Sequence, residues 1–358
     1  MSWEVAERVA TWVGGRRSWS GAQLLPSIDA DTAARLDEDF AEVTAQAEAL
    51  VIEATGLRPA SGRAEARVVD RPGWVRNNLS SFRHLLDPVL GQLEATTLKG
   101  PLPGAARTAA GAQLGLVLGW MSTRVLGQYD LLFAGDTSGD AVSYVGPNIV
   151  ALERRHGFPP RQFRLWIALH EVTHRCQFTG VPWLRAYFLS QVDQVLAHVT
   201  PDPHRLAEAL GRAAQAVREG RNPLEDAGML GLVAPPEQLE VIARIQAMMS
   251  VLEGHGDVTM DRAGADAVPD AAWFSRVLRE RRNQAPRPVR LLQQIVGIEA
   301  KMRQYQQGET FIRTVESSAG PAALARVWES SDRLPTMEEI RHPADWLART
   351  DPTSLAVS

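Results

Sequence analysis

Five consecutive residues, His170-Glu171-Val172-Thr173-His174, carry the pattern H-E-x-x-H. On a helix, two histidines four positions apart lie about 40° apart in projection and one turn apart along the axis, so both rings can point at one metal ion. Glu171 lies roughly 60° round from His174, where its carboxylate can take a proton from a water molecule on that metal. Because the flanking residues are mostly apolar, the pattern predicts a buried helix that carries two zinc ligands and a general base.

A third ligand must come from another part of the chain, because catalytic zinc usually has three protein ligands and one open position. One class of site places a histidine six residues after the second one, but Gly180 stands there and Gln177 replaces the expected glycine. That class is excluded. A second class uses a glutamate on a separate helix, followed four residues later by an aspartate that braces a zinc-bound histidine.

Residues 249–257 supply the second pattern, because Glu253 and Asp257 fall on one helix face after an apolar run. Carboxylates there are costly unless they are paired, which favours Glu253 as a zinc ligand and Asp257 as its bracing partner. The simpler alternative is that both residues begin the exposed end of a helix.

His255 is the rival third ligand. It lies two residues from Glu253 and therefore points elsewhere on a regular helix. Gly254 and Gly256 could distort the backbone enough to bring it in. The residues alone leave this choice open.

Composition excludes several classes of function. The 358-residue chain has a net charge of −4, so broad attraction to nucleic acid or to anionic membranes is not expected. Residues 1–8 are charged where a signal peptide needs an apolar run, and no stretch approaches the roughly 20 apolar residues of a membrane span. Cys176 is the only cysteine, so no internal disulfide is possible, and we expect a cytoplasmic protein.

Hydrophobic periodicity and breaker residues predict a mainly helical chain. Two short strands, at 129–133 and 142–145, should form a hairpin ahead of the H-E-x-x-H helix, and residues 58–67 should form a loop. The alanine- and glycine-rich residues 109–125 predict a closely packed central helix. The other predicted helices cover approximately residues 3–13, 31–53, 74–88, 163–178, 183–199, 204–219, 237–260, 273–282, 288–305 and 321–328.

Several segments resemble the actinobacterial zincin-like family of zinc-dependent metallopeptidases, one branch of which is labelled coenzyme F420 biosynthesis-associated. The resemblance is carried by residues 169–178, 180–184 and 249–257, and also by 79–83, 127–130 and 302–305. It therefore spans most of the chain. Alanine is expected where this chain has Gly256.

The resemblance implies a mainly α, gluzincin-like zincin fold with a small antiparallel β-hairpin. It implies Zn²⁺ at His170, His174 and Glu253, with Glu171 as the base, and an unidentified peptide or protein substrate. We expect a single catalytic domain with three parts: an N-terminal helical part (1–108), a metal-site core (109–265) and a C-terminal helical part (266–358).

The expected reaction is attack of an activated water on a peptide or amide carbonyl, with Glu171 moving the proton. A further donor is expected beside the oxyanion, and the candidates are Tyr305, His255 and Tyr144.

Two other functions compete with hydrolysis. The first is a catalytically silent zincin fold that binds or scaffolds a partner. The second is a carboxylate-bridged di-iron protein, since such sites use E-x-x-H pairs on bundle helices. Besides the pair within the main motif, E-x-x-H pairs occur at 153–156 and 339–342, but both stand among arginines that indicate a solvated surface.

Overall fold

A computed structural model of the chain describes residues 1–15, 28–96, 103–131, 140–197, 236–283 and 298–350. Within these residues the fold is mainly helical with one small sheet, as the sequence predicted. The predicted helix at 204–219 lies outside the described residues. No helix in the described part combines the length and the apolar character needed to cross a membrane.

Thirteen α-helices and three strands are described, and two short 3₁₀ turns lie at Arg326–Trp328 and Ser331–Arg333. The helices are α1 Trp3–Gly14, α2 Ala30–Thr55, α3 Arg71–Thr96, α4 Pro103–Ser122, α5 Gly146–His156, α6 Pro160–Gly180, α7 Leu184–Ala197, α8 Pro236–Ala263, α9 Ala271–Asn283, α10 Ile298–Ala319, α11 Pro321–Ala325, α12 Met337–Arg341 and α13 Pro343–Thr350. The strands are β1 Glu65–Val69, β2 Gly127–Tyr129 and β3 Ala141–Val145.

The chain divides into two compact units, each with its own core. One unit comprises Met1–Gly180 and Thr259–Leu278, and the other comprises Val181–Val258 and Arg279–Ser358. In the first, α1, α3 and α4 pack around an apolar cluster that includes Ala10, Trp74 and Leu118. In the second, α8 and α10 pack with α11 to α13 around Phe311 and Trp346, whose rings meet edge to face at 5.4 Å.

The sheet has the order β1-β3-β2, with β3 fully buried at its centre. β2 pairs antiparallel with β3, which confirms the predicted hairpin pairing, although β2 begins two residues before the predicted strand. β1 pairs parallel with β3, so the prediction that 58–67 forms only a loop was wrong from Glu65 onward. Helix α5, which lies between β3 and α6, was not predicted from the sequence.

Helices α1 and α4 cross closely at glycines of α4, as its composition predicted. A Cβ added to Gly115 would lie 2.5 Å from the carbonyl oxygen of Ala6. A Cβ added to Gly119 would lie 2.6 Å from the carbonyl oxygen of Ala10. These positions therefore have no room for a side chain, and the backbones meet directly.

Two buried polar side chains, those of Arg71 and Asn148, join the ends of four helices by hydrogen bonds. The fully buried Arg71, at the start of α3, donates Nε–H to Oδ1 of Asn148 at 2.8 Å and a terminal N–H to the carbonyl of Gly14 at 3.2 Å. Asn148, near the start of α5, donates its amide N–H groups to the carbonyls of Ser122 and Val125 at 2.8 and 2.7 Å. Helices α1, α3, α4 and α5 are thus joined by two side chains.

Helix α6 is anchored at both ends by arginines. Near its start, Arg164 forms two hydrogen bonds to Glu153, at 2.8 and 2.9 Å, and pairs with Asp39 of α2. Near its end, the fully buried Arg175 bonds Glu48 of α2 and Asp140, each at 2.5 Å. These ion pairs fix the position of the part of α6 that lies between the two arginines.

Candidate metal centre

His170 and His174 lie one turn apart on α6, as the spacing predicted. Their Nε2 atoms are 3.2 Å apart, and their ring planes are nearly perpendicular, at 85°. Both side chains are partly buried. Two imidazole nitrogens that converge in this way can bind one cation when both are unprotonated.

Gln177 determines the orientation of the second histidine. Its Oε1 lies 2.9 Å from Nδ1 of His174, and its side chain is fully buried one turn further along α6. Because an amide oxygen only accepts, Nδ1 must carry the proton, which leaves the Nε2 lone pair for a metal. In the sequence, Gln177 is notable because it stands in place of an expected glycine. Its spacing of three residues from His174 is the local signal for this hydrogen bond.

Glu253 is the carboxylate that completes a possible ligand set. One ligand atom from each of His170, His174 and Glu253 lies within 4.8 Å of the other two. Among the described residues, this is the one group of three or more His, Cys, Asp or Glu side chains that could hold a metal ion. Two nitrogen donors and one carboxylate oxygen suit zinc.

Helix α8, which carries Glu253, runs without interruption from Pro236 to Ala263. The glycines next to Glu253 therefore do not distort the backbone. Gly254 instead permits close packing, because a Cβ there would overlap the backbone of Gly308 on α10. His255 is buried, with its ring edge to face against Trp328 at a centroid distance of 5.0 Å. Asp257 lies one turn after Glu253 on the same helix.

Glu171 is held against the edge of the sheet. Its Oε2 accepts a hydrogen bond from the backbone N–H of Tyr129, on β2, at 3.1 Å. The side chain is partly buried, so it lies between the protein interior and solvent. A carboxylate at this border can exchange a proton with a bound molecule.

The candidate oxyanion donors have different surroundings. Tyr144 is fully buried, its hydroxyl is 2.8 Å from that of Thr44, and its ring stacks on Phe40. Burial, opposed by the Thr44 hydrogen bond and aided by the charge of Glu171, raises the pKa of Tyr144 well above its usual range. A substrate cannot reach this hydroxyl. Tyr305 lies on α10, and its side chain falls outside the described residues.

The two other E-x-x-H pairs have structural partners. Glu153 is 7% exposed and paired with Arg164, so the expectation of a solvated carboxylate was wrong there. Glu339 and Thr336 form a capping box at the start of α12, where Arg349 also binds Glu339. These carboxylates stabilise helix ends and helix contacts. Nothing in the described residues therefore favours a di-iron site at either pair.

Comparisons with known proteins give a family for the chain and a solved structure with a similar fold. A sequence profile of the zincin-like metallopeptidases matches residues 1–347. The fold is similar to a crystal structure from Chloroflexus aurantiacus, described as a candidate hydrolase with a novel fold, at a TM-score of 0.71 and 30% identity. The match covers 98% of this chain and 99% of that one. No curated protein matches the chain.

Proposed function

The chain belongs to the zincin-like metallopeptidase family, and on this premise we propose that it is a zinc-dependent hydrolase that cleaves a peptide or related amide bond. One observation carries the proposal: ligand atoms of His170, His174 and Glu253 lie within 4.8 Å of one another. Glu171 stands beside the two histidines on the same helix. A metal-binding group and a base are therefore adjacent.

In this proposal His170, His174 and Glu253 hold the metal, and Gln177 holds His174 in the tautomer that can bind it. A bound zinc ion would supply Lewis acidity, which makes water a better nucleophile and a carbonyl a better electrophile. Glu171 takes the proton of the attacking water and returns it to the leaving amine. The Tyr129 N–H keeps its carboxylate oriented between these two transfers.

Replacement of Glu171 by glutamine tests the role of the base. The amide is similar in size to the carboxylate but cannot accept a proton, so Glu171→Gln should keep bound zinc and retain only a small residual rate of hydrolysis. The measurement is zinc content together with cleavage of an unbiased peptide library by the zinc-loaded full chain. If Glu171→Gln cleaves at the wild-type rate, the mechanism is wrong. If the wild type binds zinc but cleaves nothing, a silent binding protein is favoured.

A matched pair of variants tests the third ligand. Glu253→Gln should weaken zinc binding strongly, because a neutral amide oxygen replaces a carboxylate ligand. His255→Gln changes a buried neighbour two residues away and should leave zinc affinity nearly unchanged. Chelator competition measures both affinities. The reverse order of effects would assign the third ligand to His255.

Three finer expectations remain predictions from the sequence. They are the bracing role of Asp257, the actinobacterial F420-associated branch and the cytoplasmic location. Tyr305 and His255 remain candidates for the oxyanion donor. The peptide nature of the substrate is supported by the family alone.

A further inference from the structure

Strand β2 approaches Glu171 so closely that a side chain at position 127 would overlap the Glu171 side chain where it now lies. A Cβ placed on Gly127 would lie 2.6 Å from Cγ, 2.9 Å from Oε1 and 3.0 Å from Cδ of Glu171. Carbon atoms in contact normally stay about 3.5–4.0 Å apart. The Glu171 side chain therefore occupies the space that a side chain at position 127 would need.

The same strand also donates a hydrogen bond to the carboxylate. The N–H of Val145 donates to the carbonyl of Leu126, so alternate β2 residues bond to β3, and the N–H groups of Gly127 and Tyr129 point away from it. The Tyr129 N–H uses this direction to donate to Oε2 of Glu171 at 3.1 Å. Gly127 and Tyr129, on the same edge of β2, thus both contact the Glu171 side chain.

The intervening residue fixes the strand itself. The side chain of Gln128 exchanges hydrogen bonds with the amide of Asn78 on α3, at 3.2 and 3.3 Å. Its Oε1 also accepts the indole N–H of Trp74 at 2.7 Å. With three such bonds on one side and the pairing to β3 on another, β2 cannot move aside easily.

We propose that Gly127 is a positioning residue for the proposed base. β2, fixed through Gln128, orients the Glu171 carboxylate by a hydrogen bond from the Tyr129 N–H. The lack of a side chain at position 127 leaves the space that the Glu171 side chain occupies. A methyl group at 127 would make Glu171 rotate away, because a side chain moves more easily than a paired strand or a packed helix. The positioning itself stands on geometry alone, while its importance for catalysis rests on the proposed function.

Amide spectra of tyrosine-labelled protein test the positioning without any activity. The chain has four tyrosines, so selective ¹⁵N-tyrosine labelling gives four backbone resonances, and Tyr129→Phe identifies the one from Tyr129. In the wild type, this amide should be shifted downfield and protected from exchange by the carboxylate. Glu171→Ala and Gly127→Ala should both shift it upfield and speed its exchange about 10-fold, since a lost hydrogen bond of about 1.4 kcal/mol corresponds to that factor.

Gly104→Ala is the matched control. A Cβ there meets nothing within 4 Å, so the resonance of Tyr129 should not move. If the resonance is the same in Gly127→Ala as in the wild type, the positioning proposal is overturned.

Kinetics test whether the positioning matters for the reaction. Gly127→Ala should lower kcat about 100-fold, as expected for a reacting group displaced by about 1 Å, with KM and zinc content unchanged. In the Glu171→Gln background it should cause no further loss, whereas general damage to the fold would lower the remaining rate again. An unchanged kcat, or an added loss in that background, contradicts the proposal.

The two proposals fail in different ways. A zinc-loaded wild type without hydrolytic activity defeats the proposed function, while the shift of the Tyr129 amide still supports the positioning. An active wild type whose Gly127→Ala variant keeps both its kcat and its Tyr129 resonance defeats the positioning alone.

Discussion

Gln177 accepts a hydrogen bond from Nδ1–H of His174, which places the lone pair suited to a metal on the other ring nitrogen. Replacing it with leucine removes this acceptor in a fully buried place. We expect Gln177→Leu to weaken zinc affinity about 10- to 100-fold, as is usual when the partner of a metal-bound histidine is lost. Competition with a chromogenic chelator measures the affinity.

The control is Gln162→Leu on the same helix, eight residues before His170, where the side chain accepts the backbone N–H of Asp270 at 3.3 Å. Zinc affinity equal to wild type in both variants would show that Gln177 does not orient the ligand.

Cys176 lies on α6, two residues after His174, but is not suited to bind a metal or to react. Burial raises the pKa of its thiol to about 12, and the nearby charge of Arg175 opposes this only in part. Near pH 8 the thiol is therefore almost wholly protonated, and only the thiolate is nucleophilic. We expect no reaction with iodoacetamide in the folded protein and rapid reaction in urea, measured by mass spectrometry. Fast labelling of the folded chain would contradict its buried position.

At the scale of single residues, the sequence predicted contacts between residues that are close together along the chain. H-E-x-x-H predicted the convergence of His170 and His174 because one helix turn determines it. The closeness of Gly127 to Glu171 could not be predicted, since it depends on how a strand packs against a helix 44 positions away.

Arg175 joins α6 to α2 and to the residues before β3. It is fully buried and bonds Glu48, Asp140 and the carbonyls of Ser61 and Gly62. Arg175→Met should lower the free energy of unfolding by about 3–5 kcal/mol, because it leaves the buried Glu48 and the partly buried Asp140 without their cation. Urea denaturation measures the loss.

Arg161→Met is the matched control on the same helix. Its ion pair with Glu42 is exposed on both sides, at 62% and 61%, so stability should change little. Equal losses in the two variants would mean that the burial of Arg175 contributes nothing.

The elements that the sequence missed are those whose partners are distant. β1 is short and follows a polar loop, and its pairing with β3 joins Glu65 to Ala141 across the chain. Helix α5 begins with Gly146-Pro147, which looks like a turn, although proline suits the first turn of a helix. Helix α2 was predictable because its apolar periodicity and its capping residue Gly56 are local. Helix α10 was predicted only in part, since it runs to Ala319 and the predicted helix ended at 305.

A ligand that binds only the folded chain stabilises the whole molecule. Zinc at 100 times its Kd should raise the free energy of unfolding by about 2.7 kcal/mol. A chelator should remove this increment, and His170→Ala should not show it. Thermal unfolding with and without zinc measures the difference. Equal stabilisation of wild type and His170→Ala would mean that zinc binds elsewhere.

The bonds of Arg71 and Asn148 have a consequence for how this unit opens. If α1 separated from the others, the guanidinium of Arg71 would lose the carbonyl of Gly14 while still enclosed by α3 and α5. Each separation of one helix leaves an unmatched polar group, so partial opening is costly. Amide protons of α1, α3, α4 and α5 should therefore exchange with deuterium at a common opening free energy, as a single foldon, although α1 stands at the very start of the chain.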